Sequence, residues 1–285
     1  MLIDFIGMPI NLGARKRGVE LGTQILRKIC FEILNLKNQW IDTGDIECDD
    51  FSNAKEGNIS GLPFISKIAD LNIKLRDRVA NSLKMGHFPF IAGGDHSLAW
   101  GSISAVLNCF ESPECFYVDA HGDMNTEFTS ESHNVHGMHM SYLLGIAEND
   151  FSKKIQGHRC LPVEKVKFIG QRSLDPGEID LINKESISIF SHIDKEYTSD
   201  SPVHVSFDID VLDPIVAPAT GVPEKNGYSI EEGLQTIEFI LRNYDVRSLD
   251  FVEINPLLDI EGKTFEVATK IVELIDKLCY EKSRF

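Results

Sequence analysis

Asp119-Ala120-His121-Gly122-Asp123 sets two carboxylates and an imidazole at alternate positions, directly after the apolar run Cys115-Phe116-Tyr117-Val118. That run reads as a buried strand. In extended backbone, successive side chains point to opposite faces, so Asp119, His121 and Asp123 can converge while Ala120 and Gly122 point away. Such a triplet makes a poor core and a good divalent-metal site. A second constellation, Ser206-Phe207-Asp208-Ile209-Asp210, follows the strand-like Val203 to Val205. The same alternation puts Asp208 and Asp210 on one face, where two like charges beside a buried strand need a cation or a proton. A third candidate, His96, follows a short apolar run and the tight Gly93-Gly94 turn. Taken singly, these are a solvated aspartate pair and a structural histidine. Together they supply four aspartates and two histidines from three strand ends, a suitable set for two divalent ions sharing bridging carboxylates. The oxygen-rich balance suits Mn²⁺ better than a structural zinc.

The elements that must position these groups alternate along the chain. Strand patterns occupy Leu2 to Gly7, His87 to Ala92, Cys115 to Val118, Val166 to Gly170, Ile187 to Phe190, Val203 to Ile209 and Val246 to Glu253. Helical periodicity spans about Val19 to Ile33 and Ile65 to Met85, where Ile68, Leu71, Leu75, Val79 and Leu83 recur. A further helix after Ser97 carries Ile103, Val106 and Leu107, and a last amphipathic one runs from about Thr264 to Cys279. Ser229-Ile230-Glu231-Glu232 is a capping box that predicts a helix from about Ile230 to Asn243. Asp42 to Gly61 is polar and glycine-containing, and is expected to be surface connection. Strands that are apolar on both faces and alternate with helices predict an α/β fold, a parallel sheet covered on both sides. In such folds ligands gather at the carboxyl ends of the strands, where all three constellations lie.

Composition narrows the partners. The 285 residues are 42% apolar and 25% charged, as in an ordered globular chain, and the formal charge of −16 disfavours nucleic acid and anionic membrane surfaces. No apolar run is long enough to cross a bilayer. The start, Met1-Leu2-Ile3-Asp4, lacks the pattern of a secretory signal. Cys30, Cys48, Cys109, Cys115, Cys160 and Cys279 are scattered without a CxxC pair. Reduced thiols in a cytoplasmic protein are therefore expected rather than a disulfide framework.

Four motifs in order along nearly the whole chain resemble those of the arginase/ureohydrolase family, of the arginase type. They are GGDHS (Gly93 to Ser97), DAHGD (Asp119 to Asp123), SFDIDVLDP (Ser206 to Pro214) and DFVEINP (Asp250 to Pro256). The early GARKRGVELG (Gly13 to Gly22) is similar to that family's N-terminal loop. The resemblance implies one catalytic domain over residues 1–285, a three-layer α/β/α unit with a mostly parallel eight-stranded sheet. It further implies a binuclear manganese centre and a homotrimer or homohexamer. His96 and Asp123 would ligate one ion and His121 and Asp210 the other, with Asp119 and Asp208 shared. Two such ions lower the pKa of a bridging water, and the hydroxide attacks a guanidinium carbon. The resemblance gives Asp123 the orienting of that hydroxide, Glu253 the pairing with the guanidinium, and His136 the protonation of the departing amine.

Substrate recognition is implied for Asn125, Ser132 and Asn134, in a loop whose length from Asp123 to His136 fits the arginase pattern. Asp175 matches the aspartate that meets an α-amino group. Ser173 stands where a second aspartate is usual and Val222 where a threonine is usual, which removes a carboxylate and a hydroxyl from the substrate's surroundings. The expected activity is cleavage of L-arginine to ornithine and urea. The alternatives are a ureohydrolase acting on agmatine, guanidinobutyrate or formiminoglutamate, and a non-catalytic relative that binds or regulates a partner.

Overall fold

The computed structural model describes residues 1–48, 58–59, 61–157 and 159–283. Among the described residues ten strands form: β1 (Leu2–Met8), β2 (Gln39–Asp45), β3 (Asn58–Ile59), β4 (Leu62–Pro63), β5 (Phe88–Gly93), β6 (Glu114–Val118), β7 (Val166–Ile169), β8 (Ile189–Phe190), β9 (Pro202–Asp208) and β10 (Asp245–Val252). Eight of them make one sheet in the order β2-β1-β5-β10-β9-β6-β7-β8, and every neighbouring pair is parallel. β3 and β4 form a separate antiparallel ribbon. The helices are α1 (Gly22–Lys28), α2 (Ile65–Lys84), α3 (Ala99–Cys109), α4 (His139–Leu143), α5 (Asp150–Gln156), α6 (Pro176–Glu185), α7 (Ile230–Asn243) and α8 (Lys263–Lys282).

Strand alternation sorts the core into two layers. Ile3, Phe5, Phe90, Phe116, Val118, Val205, Phe207, Leu249 and Phe251 pack with α1, α7 and α8 on one face. Ile6, Met8, Ile91, Cys115, Tyr117, Phe168 and Val252 pack with α2 to α5 on the other. On that second face the central strands β9 and β10 turn polar. His204, Ser206, Ser248 and Asp250 are buried there against α3, and Asp250 Oδ2 accepts from Ser102 Oγ at 2.5 Å and lies 3.0 Å from His204 Nε2. Both ends of this polar seam matter for the site, because Ser206 also reaches His96.

Three expectations need correction. The segment from Asp42 was expected to be loop, yet Asp42 to Asp45 belong to β2, which pairs along β1 at the sheet edge. Its residues are half-buried or exposed, so the apolar alternation that marks an inner strand is missing. Residues 49–57 and 60 of that segment lie outside the described residues. The helix expected over Val19 to Ile33 divides into a 3-10 turn at Val19–Leu21, then α1, then a π turn at Ile29–Ile33. Finally, the strand expected to run to Ile209 ends at Asp208, and Asp210 sits in the 3-10 turn Ile209–Val211. No described helix is long and apolar enough to cross a membrane.

Candidate functional site

The carboxyl ends of β5, β6, β9 and β10 meet near the middle of the sheet, and each is followed by a turn that carries a candidate residue. After β5 the chain passes Gly93-Gly94 into Asp95 and His96. A side chain at Gly94 would lie 1.9 Å from the carbonyl oxygen of Ile10, so only glycine lets the two loops approach. Asp95 is fully buried and accepts from the backbone N–H of Gly13 at 2.8 Å and of Ala14 at 3.1 Å. The GGDHS aspartate thus fastens the N-terminal loop to the site.

His96 Nδ1 lies 2.8 Å from Asp119 Oδ2, 3.1 Å from Asp208 Oδ2 and 3.4 Å from Asp123 Oδ2. Its Nε2 meets Ser206 Oγ at 2.9 Å, which leaves Nδ1 facing the carboxylates. His121 Nδ1 lies 3.0 Å from Asp210 Oδ2 and 3.5 Å from Asp119 Oδ1. The ligand-type atoms of His96, Asp119 and Asp123 fall within 4.8 Å of one another, as do those of Asp119, His121 and Asp210. Asp119 belongs to both groups, one oxygen turned to each.

The backbone reaches this convergence by two routes. Asp119 and His121 share a side across a bend at Ala120, with Asp119 Oδ1 accepting the His121 N–H at 2.6 Å, and His121 then bridges Ser173. Asp123 instead adopts a left-handed φ of 51°, and Asp210 is turned in by Asp208, whose Oδ1 accepts the Asp210 N–H at 2.8 Å. Glu253 is likewise left-handed, at φ 63°. A non-glycine residue in that region costs about 1–3 kcal/mol, and such strain collects at functional sites.

The donor set fits divalent cations on its own chemistry. Asp119 Oδ2 is buried with no donor in hydrogen-bonding geometry although His96 Nδ1 is only 2.8 Å away, as expected where both aim lone pairs at a common point. Burial, followed by the charges of Asp210 and Asp119, drives the Asp208 carboxyl well above its ordinary range. Burial and then Asp119 push Asp123 up to about 7. Burial would lower both ligand-type imidazoles, but hydrogen bonds and charges from the aspartates override it and raise His96 and His121. Crowded carboxylates are seeking positive charge, and bound protons answer that demand only in part.

Above the floor lies a cavity of about 350 Å³, lined by His96, His121, Asp123, Asp208 and Asp210 below and by Glu253 and His136 at one side. Glu253 Oε1 accepts from the His96 backbone N–H at 2.9 Å and faces His136 Nδ1 at 3.1 Å, while Oε2 is buried without a partner. Burial opposes charge on His136, but the hydrogen bond and charge of Glu253 raise its pKa to about 9. The rim carries Asn125, Ser132, Asn134, Ser173, Asp175 and Val222, so every residue singled out in the sequence lines the cavity except Asp119, buried behind its floor. Asn125 Nδ2 donates to Asp175 Oδ2 at 2.8 Å, which ties two rim loops together.

Other residues in and around the cavity had no role assigned from sequence. Arg15 donates from Nε to Asn134 Oδ1 at 2.7 Å and from a terminal nitrogen to the Ser132 carbonyl at 2.6 Å. Glu178 accepts from the backbone N–H of Asp175 and Met124, both at 2.9 Å, and starts α6. The D-P-G-E spacing of Asp175 to Glu178 is a helix-start signal that could have revealed it. Glu224 lines the cavity with Oε1 3.7 Å from His121 Nε2. Tyr117 and His139 stand behind Asp123, and no spacing rule announces them.

The arginase family model matches residues 2–275. The arginase of Staphylococcus aureus (strain COL) is 34% identical over 289 residues, covering 95% of each chain. The arginase of Bacillus caldovelox is also 34% identical, over 95% of this chain and 96% of its own. The solved structure of the Bacillus caldovelox enzyme superposes with a TM-score of 0.86 over 97% of both chains, at 33% identity. An Entamoeba histolytica arginase solved with L-ornithine superposes with a TM-score of 0.85 at 25% identity, over 98% of both chains. A parallel eight-stranded sheet, a two-lobed cluster of histidines and aspartates at its carboxyl edge, and kinship along nearly the whole length lead to one conclusion: the chain belongs to the arginase family and is an arginase-type ureohydrolase.

Proposed function

We propose that the protein hydrolyses the guanidinium group of L-arginine to ornithine and urea, as one catalytic domain over residues 1–285 holding two Mn²⁺ ions. The observation that carries this reading is the two overlapping ligand groups that share Asp119 beneath a cavity walled by Glu253 and His136. His96 and Asp123 would hold one ion, His121 and Asp210 the other, and Asp119 and Asp208 would serve both. Such a pair supplies a water activated for attack near neutral pH.

The chain's own residues do the rest. Glu253 offers the partnerless Oε2 to a guanidinium N–H, and the pairing of a buried carboxylate with a planar cation fixes the plane of the group to be attacked. His136, with its pKa raised to about 9, carries its second proton at neutral pH and can pass it to the departing amine nitrogen. Asp123, poised at about 7, can accept a hydrogen bond from the attacking water. Asn125, Ser132 and Asn134 face the α-carboxylate and Asp175 the α-amino group. The L-ornithine in the Entamoeba histolytica relative supports an amino acid in this cavity.

A second reading has its own support. Ser173 and Val222 give up two polar contacts, while Glu224 adds a carboxylate to a wall that already holds Asp175. Arg15 is committed to Asn134 and Ser132, and Lys16 and Arg172 to the carbonyls of Gly221 and Glu224. An acidic rim favours agmatine, which has an amine and no carboxylate. The manganese-loaded protein assayed on L-arginine, agmatine, guanidinobutyrate and formiminoglutamate, with metal content measured on the same preparation, decides between them. The arginine reading expects the highest kcat/KM on L-arginine and two Mn²⁺ per chain. Bound metal with no urea from arginine would sink it. Bound metal with no turnover of any of the four would restore the non-catalytic alternative. Assembly as a homotrimer or homohexamer and a cytoplasmic location complete the proposal, and light scattering measures the first.

A further inference from the structure

Behind the first group of ligand-type residues, facing α4, lies a pair of side chains that the proposed reaction does not use. Tyr117 is fully buried on β6, on the polar-seam face of the sheet, and its ring stacks on His96 with centroids 4.8 Å apart and planes 9° from parallel. Its hydroxyl lies 2.5 Å from Asp123 Oδ2, 3.1 Å from His96 Nδ1 and 3.1 Å from His139 Nε2. His139 is also fully buried, and its Nδ1 lies 2.8 Å from the carbonyl oxygen of His136. A carbonyl oxygen only accepts, so Nδ1 carries the hydrogen and Nε2 of the neutral ring is an acceptor. The phenol has one hydrogen and three acceptors facing it, Asp123 Oδ2, His96 Nδ1 and His139 Nε2. The shorter contact assigns it to Asp123.

The arrangement is asymmetric. Asp123 and His96 belong to one half of the site, and both are touched by Tyr117. His121 and Asp210, in the other half, have no contact with Tyr117 or His139 among the hydrogen bonds and ring contacts described. Groups that orient metal ligands tune metal affinity, and losing one typically costs about 10–100-fold. We propose that Tyr117 is a positioning residue for one of the two cation subsites: its ring aligns the His96 imidazole and its hydroxyl aims the Asp123 carboxylate. This rests on the binuclear reading above.

The test is a Mn²⁺ titration of metal-depleted protein, following free Mn²⁺ by its EPR signal, on wild type, Tyr117→Phe, His139→Leu and His139→Gln. Phenylalanine keeps the ring and removes only the hydroxyl. The expected result is that Tyr117→Phe weakens one of two Mn²⁺ affinities by about 10–100-fold and leaves the other within about threefold. His139→Leu, which removes a competing acceptor and leaves the phenol hydrogen to Asp123, should tighten the same site by less than the tyrosine change weakens it, and His139→Gln, which restores an acceptor near the phenol, should cancel most of that gain. His139→Leu keeps the question open to measurement should the tyrosine variant fail to fold. Unchanged affinities in both Tyr117→Phe and His139→Leu, or equal weakening of both sites, overturn the inference while leaving the metal centre intact. A wild-type protein that binds no Mn²⁺ overturns the binuclear reading itself, and this inference with it.

Discussion

At the cavity floor His96, Asp119, Asp208 and Asp210 are each at most 3% exposed and follow strands locked on both sides by parallel neighbours. At the rim Ser132, Asp175 and Val222 are exposed and sit on loops outside the sheet, fastened by side-chain hydrogen bonds and by backbone ones such as Ser173 N–H to the Ala120 carbonyl. The floor tolerates like charges, positive φ at Asp123 and buried atoms without donors. The rim carries backbone stress too, at His133 between Ser132 and Asn134, where φ is 54°. Reactive groups here are held against their own repulsion by a rigid sheet, whereas most of the groups that would choose a substrate sit on loops nearer solvent, with Asn125 the buried exception.

Substitutions on the two sides should therefore fail in different ways. Asp119→Ala removes the one residue common to both ligand groups, and arginine hydrolysis should fall by well over ~100-fold, the upper end for residues that merely support ligands, with bound Mn²⁺ lost in parallel. Retention of both ions would erase the distinction between floor and rim. Glu253→Gln keeps size and removes charge, and kcat/KM should drop by about 10–100-fold through a lost charge-assisted pairing, while metal content stays at the wild-type value.

The link between the two regions, His136, gives a pH test. Its folded pKa of about 9 lies above the ~6.5 of an unfolded histidine. The stability it contributes is thus fully present below ~6.5 and lost as pH rises through about 9. The amount is on the order of 2–3 kcal/mol for a side chain 18% exposed. Thermal melts of chelator-treated protein should show a decline between pH 7 and 9 that flattens in His136→Asn. The smallest effect is expected at the rim. Asn134→Ala should raise KM for arginine by about 3–10-fold and leave kcat nearly unchanged, since it removes a neutral hydrogen bond made equally before and during reaction. A large fall in kcat there would place the rim in the reaction itself.

Much of this was legible in the sequence. Inner strands such as Cys115 to Val118 are buried on both faces, so an uninterrupted apolar run identifies them, and the residues just beyond land at the carboxyl edge. The helix at Ile65 was readable for the same reason, because one face of α2 carries the whole apolar stripe. β2 escaped because an edge strand with a polar sequence has no such signature. The alternation argument found these residues but not the route by which they converge, since the chain bends at Ala120, enters a 3-10 turn after Asp208 and turns left-handed at Asp123. Those turns depend on hydrogen bonds between loops, which local pattern does not encode. Tyr117 and His139 read as an ordinary strand tyrosine and loop histidine until the fold sets them 3.1 Å apart.

The Asp95 clamp has one more consequence. It secures Gly13 and Ala14, and the next residue, Arg15, grips the loop that bears Ser132 and Asn134. The outline of the entrance is thereby inherited from a turn at the centre of the sheet, through three residues of the amino-terminal segment. Drift at Arg15 alone could reshape what enters while every reactive group stayed where it is, giving a lineage of such enzymes a route to new diets that leaves the hearth untouched.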